Sequence, residues 1–296
     1  MSHTAPPAPT TRVGFIGLGS QGAPMARRVA EAGYPLTVWA RRTASVGPFT
    51  GTGTGTGIAV TATPADLGAA SDVVGICVVA DDDVRDVLLR DDGVLAGMAP
   101  GGVIAIHSTI HPDTCRDVAE AAARRGVAIL DAPVSGGGGA AERGQLLVMV
   151  GGDERDLARC RPVLATFGDP ILHLGPLGSG QVAKALNNFL FTTHVGVALD
   201  MFAFIDRLGI DRAAAARVLA HGSGGSFAAA TLARSGFDTT GLRDAEPLLR
   251  KDVGIMLDVA RTAGAAEPTT LVELAHHTLA DLRDGDGGSA LRASTL

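Results

Sequence analysis

A lysine and two asparagines interrupt an otherwise apolar helical segment, GSGQVAKALNNFL, which runs from Gly178 to Leu190. Lys184, Asn187 and Asn188 are spaced three and four residues apart, so a helix projects all three side chains from one side. A lysine on an apolar segment is costly unless its charge is paired or its pKa falls. Either property suits a group that exchanges a proton with a substrate oxygen. On this helix alone, a lysine that reaches solvent beside two packing asparagines is the alternative interpretation.

Three glycines near the start of the chain have the spacing of a phosphate-binding loop. The stretch VGFIGLGSQGAPMARRV places them directly after a predicted strand and at the start of an amphipathic helix. Glycine allows the tight turn and the close approach of backbone to a pyrophosphate, which then lies at the helix N-terminus. A turn that only permits close packing is the alternative. The predicted cofactor-binding residues of this loop are Gly17, Leu18, Gly19, Ser20, Gln21 and Gly22.

The end of the second predicted strand, LTVWA, indicates which dinucleotide is bound. An acidic residue at this position binds the adenosine 2′-hydroxyl group, whereas arginine accommodates a 2′-phosphate. Here Arg41 and Arg42 follow Ala40, and no carboxylate is present. We therefore predict a preference for NADPH, with NAD as a possible but less favoured cofactor and the two arginines as a phosphate clamp. Two solvated surface arginines are the alternative.

A serine and four glycines follow another predicted strand in the stretch DAPVSGGGG. Successive glycine N–H groups can form a concave nest for an anion such as a substrate carboxylate. A flexible connection is the structural alternative. Asp131, at the end of that strand, is interpreted as a cap or turn residue rather than an acid catalyst.

Composition excludes several classes of function. The 296 residues include 46% hydrophobic residues, and acids and bases are interspersed with a net charge of −6, so we expect no nucleic-acid or membrane partner. The first dozen residues lack the apolar centre of a secretory signal, and three scattered cysteines do not indicate disulfides, so we expect a cytoplasmic location. No metal is expected, because no set of residues has ligand spacing.

The elements that must position these residues change character along the chain. From Val13 to about His173, apolar β-branched runs alternate with Ala-rich helical segments, which predicts an α/β fold with a doubly wound parallel sheet covered on both faces. After Gly175 only helical patterns follow. We therefore predict a Rossmann NADP-binding domain over 12–174 and an all-α substrate and oligomerisation domain over 175–296. A long interdomain helix of roughly thirty residues, about 45 Å, would join them.

Six segments are predicted to be strands: VGFIGL, LTVWA, DVVGICVV, GVIAIH, VAILDA and LLVMVG. The repeat GTGTGTG over 51–57 is expected to be a flexible surface loop, because it has no side chains to bury.

Four segments in this order resemble the β-hydroxyacid dehydrogenase family. They are GFIGLGSQGAPMARRV, DAPVSGGGGAAERGQLLVMVGG, GSGQVAKALNNFL and KDVGIML, and together they cover the chain from about Val13 to Leu257. The resemblance implies a catalytic lysine at Lys184, with Asn188 helping to hold the substrate. It implies that the substrate carboxylate is bound at Ser135, Gly136 and Gly137.

The resemblance also implies that Thr109 and Lys251 lie against the nicotinamide end of the cofactor, and we assign Val79 to the cofactor-binding residues as well. Two positions depart from the family pattern. Asp244 stands where many members carry an aromatic residue about seven positions before the late lysine, and His107 precedes Ser108 where a histidine is not expected. We assign no role to His107.

These residues together predict hydride transfer between NADP and a small β-hydroxyacid or semialdehyde, with Lys184 as general acid and base and the nicotinamide facing the cleft between the domains. The resemblance implies a homodimer or tetramer. An imine reductase-like NADPH enzyme is one alternative, although members of that group are expected to carry an acidic or aromatic residue in place of Lys184. A non-catalytic NADPH-binding protein is the other.

Overall fold

A six-stranded parallel sheet organises the N-terminal part of the chain. The computed structural model describes residues 10–50 and 58–284, so the predicted loop over 51–57 lies outside the described residues. The strands are β1 (Val13–Ile16), β2 (Leu36–Trp39), β3 (Ile58–Val60), β4 (Val73–Ile76), β5 (Val103–Ile106) and β6 (Ala128–Asp131). Their order, β3-β2-β1-β4-β5-β6, with every pair parallel, is the order of the Rossmann dinucleotide-binding fold.

Both faces of this sheet are buried, as the continuous apolar runs predict. Phe15 belongs to one buried cluster and its neighbour Ile16 to a second. Successive strand residues point to opposite faces, so the two clusters are the two sides of the sheet. The doubly wound α/β prediction is confirmed.

Helices alternate with the strands in this part of the chain. They are α1 (Gly22–Glu31), a 3-10 helix (Thr43–Phe49), α2 (Pro64–Ala69), α3 (Asp81–Leu89), α4 (Val94–Gly97), α5 (Pro112–Ala123), α6 (Gly137–Glu142) and α7 (Glu154–Leu164). Their ends are set by local chemistry. Thr63 and Asp66 form a capping box on α2, and the carboxylate of Asp153 accepts a hydrogen bond from Arg155 N at the start of α7.

A second, smaller sheet contains the last predicted strand. It consists of β7 (Val134–Ser135), β8 (Leu146–Val150) and β9 (Gly168–His173). The segment LLVMVG therefore forms a strand, as predicted, but not in the dinucleotide-binding sheet. It pairs antiparallel with β7 and parallel with β9.

Helices make up the rest of the described chain. They are α8 (Ser179–Arg207), α9 (Arg212–His221), α10 (Phe227–Arg234), α11 (Thr240–Thr262) and α12 (Thr269–Asp284). They bury their own apolar core, which includes Phe189, Phe202 and Leu279. The chain divides into two compact units between Lys184 and Ala185, inside α8 rather than ahead of it. The first turn of α8 belongs to the first unit because it is hydrogen-bonded to Asp131 of β6.

The 29-residue helix α8 is also apolar. Among the described residues it is the single helix whose length and composition would allow it to cross a membrane, with a mean hydropathy of 1.4 in its most apolar window. In that window 44% of the residues are buried within the protein. A core helix of a globular protein meets the same criteria, so this observation is weak evidence for a membrane span.

Candidate active site

The glycine loop after β1 has the geometry that a bound dinucleotide requires. Gly17 has φ +93°, and a Cβ there would lie 2.1 Å from the carbonyl oxygen of Cys77. A Cβ on Gly22 would lie 1.8 Å from the carbonyl oxygen of Gly17, whereas Gly19 has no protein atom within 4 Å of that position. Gly17 and Gly22 are thus required by the turn and its packing, while Gly19 leaves open space that a pyrophosphate can fill. The residues present therefore fit a dinucleotide.

A cavity of about 450 Å³ lies beside this loop, at the carboxyl ends of β1, β2 and β4. Ligands bind at this edge of open α/β sheets. The lining residues are Ile16, Gly17, Leu18, Gly19, Trp39, Ala40, Arg41, Arg42, Ser45, Cys77, Val78, Val79, Asp83 and Val87. The cavity thus brings together residues that the sequence assigned to the cofactor from three separate segments, including the exposed side chain of Val79. Ser45 and Asp83 also line it and were not predicted.

The two arginines predicted to form a phosphate clamp have different surroundings. Nη2 of Arg41 lies 3.1 Å from a carboxylate oxygen of Asp83 and 3.1 Å from one of Asp86, both on α3. Within residues 10–50 and 58–284, no ion pair is found for Arg42. Sequence reasoning missed the acids because α3 lies forty residues further along the chain.

Asp131 holds the start of α8. It is fully buried at the end of β6, and its two carboxylate oxygens accept hydrogen bonds from Gly178 N at 2.7 Å and Gln181 N at 2.8 Å. Burial raises the pKa of this carboxyl group, and the backbone hydrogen bonds oppose that rise. The prediction that Asp131 is a structural cap is confirmed by these bonds.

The side chain of Gln181 connects α8 with the segment that follows β5. Its Nε2 donates a hydrogen bond to Ser108 O at 2.8 Å, and its Oε1 accepts one from Ile110 N at 3.1 Å. The Ser108 hydroxyl in turn accepts a hydrogen bond from Val78 N at 2.8 Å. Gln181 therefore fixes the backbone on both sides of Thr109. Sequence reasoning missed it, although it is a polar residue in an apolar helix, the same signal that singled out Lys184.

Lys184 lies one turn further along α8 and is only 8% exposed. The preceding turn is held in place because Gln181 donates hydrogen bonds from its backbone N to Asp131 and from its Nε2 to Ser108 O. Thr109 is half-buried in the same unit. The low exposure of the side chain favours the interpretation of Lys184 as a site residue over that of a lysine extended into solvent.

The glycine run after Asp131 is mostly helical rather than a loop. Ser135 ends β7, Gly136 has φ +128°, and α6 begins at Gly137, which has φ +72°. A Cβ on Gly138 would lie 2.7 Å from the carbonyl oxygen of Ser20. The run therefore approaches the cofactor loop so closely that a side chain would not fit there.

A second cluster of polar side chains lies within the helical unit. Nδ2 of Asn188 donates a hydrogen bond of 2.5 Å to Asp252 on α11, and Nζ of Lys251 lies 2.8 Å from the other oxygen of that carboxylate. The contact between Lys251 and Asp252 is an ion pair. Within the described residues, Oδ1 of Asp252 accepts no contact whose angles meet the geometry of a hydrogen bond. The Asn187 side chain also donates to Asn188 Oδ1 at 3.0 Å. Asp252 thus links two predicted site residues, and it was not itself predicted.

His107 is buried and packed within the first unit. It is 4% exposed, its Nδ1 lies 2.8 Å from the carbonyl oxygen of Ala132, and its ring stacks on Phe15 with 6.0 Å between centroids. Burial lowers its pKa to about 4, so the ring is neutral near pH 7. Burial likewise raises the pKa of the Cys77 thiol to about 12, so this thiol is protonated near pH 7. No cluster of three or more metal-ligating side chains occurs within 10–50 and 58–284.

The strand order, the glycine loop and the cavity define the first unit as a dinucleotide-binding domain. Comparison with known proteins identifies the family. Residues 12–175 match the NAD-binding domain of 6-phosphogluconate dehydrogenase, and residues 178–293 match the NAD-binding domain of NADP-dependent 3-hydroxyisobutyrate dehydrogenase.

Three related proteins are similar over most of their length. An NAD-dependent L-serine dehydrogenase of Pseudomonas aeruginosa is 35% identical over 90% of this chain and 91% of its own. A 3-hydroxyisobutyrate dehydrogenase of the same organism is 38% identical over 74% and 72%. The structure of Mycobacterium tuberculosis 3-hydroxyisobutyrate dehydrogenase with L-serine has a TM-score of 0.76 and 28% identity, over 94% of this chain and 95% of that one. The chain belongs to the β-hydroxyacid dehydrogenase family and is an NAD(P)-dependent oxidoreductase.

Proposed function

We propose that the protein is an NADP-preferring dehydrogenase of small β-hydroxyacids, with Lys184 as the general acid and base. The observation that carries this proposal is the burial of Lys184, a residue only 8% exposed, on a helix whose preceding turn is hydrogen-bonded to β6 and to the segment around Thr109. A buried lysine held by its backbone in this way is suited to proton transfer at one fixed place.

The nicotinamide, when bound, supplies hydride exchange with the carbon that bears the substrate oxygen. In the reducing direction Lys184 gives a proton to that oxygen as the C–H bond forms, and in oxidation it takes the hydroxyl proton. Ser135, Gly136 and Gly137 would bind the substrate carboxylate through hydroxyl and N–H groups. The side chain of Asn188, oriented by Asp252, would hold the substrate. Thr109 and Lys251 would contact the cofactor.

The substrate proposal follows from what the named relatives share. L-Serine and 3-hydroxyisobutyrate are both short carboxylic acids with a hydroxyl group on the β-carbon, and they differ in the α-substituent, an ammonium in one and a methyl in the other. We therefore propose a three- or four-carbon β-hydroxyacid or its semialdehyde. The retained lysine disfavours the imine reductase-like alternative.

Lys184→Met tests the general acid and base, because methionine keeps the apolar stem of the side chain and removes the ammonium group. We expect kcat to fall by about 10²- to 10⁴-fold. The dissociation constant for NADPH, measured by fluorescence titration, should stay near the wild-type value. Added methylamine should restore part of the activity to Lys184→Ala but not to the methionine variant, which leaves no space. Unchanged kcat in Lys184→Met would contradict the assignment.

We also propose a homo-oligomer. The exposed face of α8 carries an apolar stripe whose 4-, 7-, 4-, 3- and 4-residue spacing suits packing against another helix. The stripe consists of Leu186, Leu190, Val197, Met201 and Phe204, and Leu208, directly after the end of α8, continues it. Light scattering after gel filtration should give a mass of at least two chains, and Met201→Glu with Phe204→Glu should lower it; a wild-type monomer would contradict the proposal.

The cytoplasmic location and the absence of nucleic-acid and membrane partners stay predictions.

A further inference from the structure

The cofactor cavity carries acids as well as bases at the end where the sequence predicts a phosphate clamp. Arg41, Arg42 and Asp83 all line it, and Asp86 lies one turn beyond Asp83 on α3. The two arginines alone would favour the dianionic 2′-phosphate of NADPH. The two carboxylates offset that charge.

Arg41 is already engaged by those acids. Its Nη2 lies 3.1 Å from Asp83 and 3.1 Å from Asp86, so one guanidinium group faces two carboxylates. A phosphate that binds Arg41 must compete with both and must also approach their negative charge. Arg42, for which no ion pair is found within 10–50 and 58–284, has no such competition.

We infer that Asp83 and Asp86 are specificity-determining residues: they hold Arg41, leave the 2′-phosphate to Arg42, and limit the preference for NADPH over NADH. The inference rests on the proposed NADPH-binding function of this cavity. A chain with two arginines after β2 would then discriminate less against NADH, which lacks the 2′-phosphate, than the arginines alone suggest.

The size of the effect follows from exposure. The side chain of Arg41 is 60% exposed, and those of Asp83 and Asp86 are 27% and 43% exposed, so water and salt screen each contact. Removal of one acid should therefore tighten NADPH binding by about two- to fivefold, and removal of both by about five- to twentyfold. Binding of NADH should change by less than about twofold, because its 2′-hydroxyl is neutral.

The test is fluorescence titration of the full-length protein with NADPH and NADH, which requires no turnover. Asp83→Asn with Asp86→Asn is compared with Asp82→Asn as a matched control. Asp82 also lies in the first turn of α3, but its side chain is fully exposed and pairs with Arg85 rather than Arg41. We expect the double variant to bind NADPH more tightly than the wild type, and the control to bind it with unchanged affinity. We also expect the gain to disappear in an Arg41→Gln background.

Three results would overturn the inference: equal NADPH affinity in the wild type and the double variant, a gain that persists without Arg41, or a gain of the same size in Asp82→Asn. Weaker NADH binding in Asp83→Asn would also overturn it, because that acid would then bind the ribose. Failure of the proposed function is a separate outcome, since wild-type protein would then bind neither dinucleotide.

Discussion

Two polar clusters, one in each unit, hold the predicted site residues in different ways. The Asp131 cluster, in the first unit, consists of Asp131, Gln181 and Ser108, whose side chains bond to backbone N–H and C=O groups. The Asp252 cluster, in the helical unit, consists of Asp252, Asn188 and Lys251, whose contacts join side chains to one another. The first cluster therefore fixes the course of the chain, and the second fixes the direction of side chains.

This difference separates stability from ligand binding. A buried backbone N–H group that loses its acceptor cannot find another, so damage to the Asp131 cluster costs stability directly. In the Asp252 cluster, the side chain of Lys251 is 23% exposed and can turn to water when its partner is removed. Damage there should change the orientation of Asn188 and Lys251 more than the stability of the fold.

Among these variants, Asp131→Ala should cause the largest loss of stability. It leaves Gly178 N and Gln181 N buried without their acceptors, which should lower the free energy of unfolding by about 4 kcal/mol, at roughly 2 kcal/mol for each lost bond. Urea denaturation followed by circular dichroism measures this loss. Asp153→Ala is the matched control, because Asp153 is an exposed cap of α7 and its removal should cost only about 1 kcal/mol. Equal losses in the two variants would contradict a special role for Asp131.

The sequence predicts the frame of both clusters but not their contacts. The alternation of strands and helices, the glycine spacing and the helical C-terminal half are local patterns, and they predict the α/β fold correctly. Asp131 is recognisable as a cap because it ends a strand before a turn. That its partner is the start of α8, 47 residues later, depends on the tertiary fold, which no local pattern contains.

The missed residues share one physical cause. Gln181, Asp83 and Asp252 contact residues that are 42 to 73 positions away in the chain, namely Ser108, Arg41 and Asn188 respectively. The pairing of Arg41 with two acids is the clearest case, because the local sequence shows two arginines and no carboxylate. The small sheet of β7, β8 and β9 was also not separated from the main one, since its strands have the same apolar composition.

His107 allows a test of the first unit through the pH dependence of stability, because its side chain also bonds to a backbone group there. Its pKa of about 4 in the folded protein lies below its ordinary value of 6.5, so the unfolded chain takes up a proton first as pH falls. The stability is fully present above pH 6.5 and is lost as pH falls toward 4, by about 3 kcal/mol from this residue. Urea midpoints measured between pH 7 and 4 should fall more steeply for the wild type than for His107→Gln. Parallel slopes would contradict a buried neutral ring.

Asp252→Asn should have the smallest effect on stability, about 1 kcal/mol. The asparagine oxygen can still accept the hydrogen bond from Asn188, and Lys251, whose side chain is 23% exposed, can turn to water when it loses the ion pair. Urea denaturation measures that cost, while Michaelis constants for L-serine and 3-hydroxyisobutyrate report the orientation of Asn188 and Lys251. We expect KM to rise with little change in the unfolding midpoint, and Asp252→Leu, which removes the acceptor as well, to raise it further. A stability loss as large as that of Asp131→Ala would show that the two clusters do not differ in kind, because a side-chain partner would then matter to the fold as much as a backbone partner.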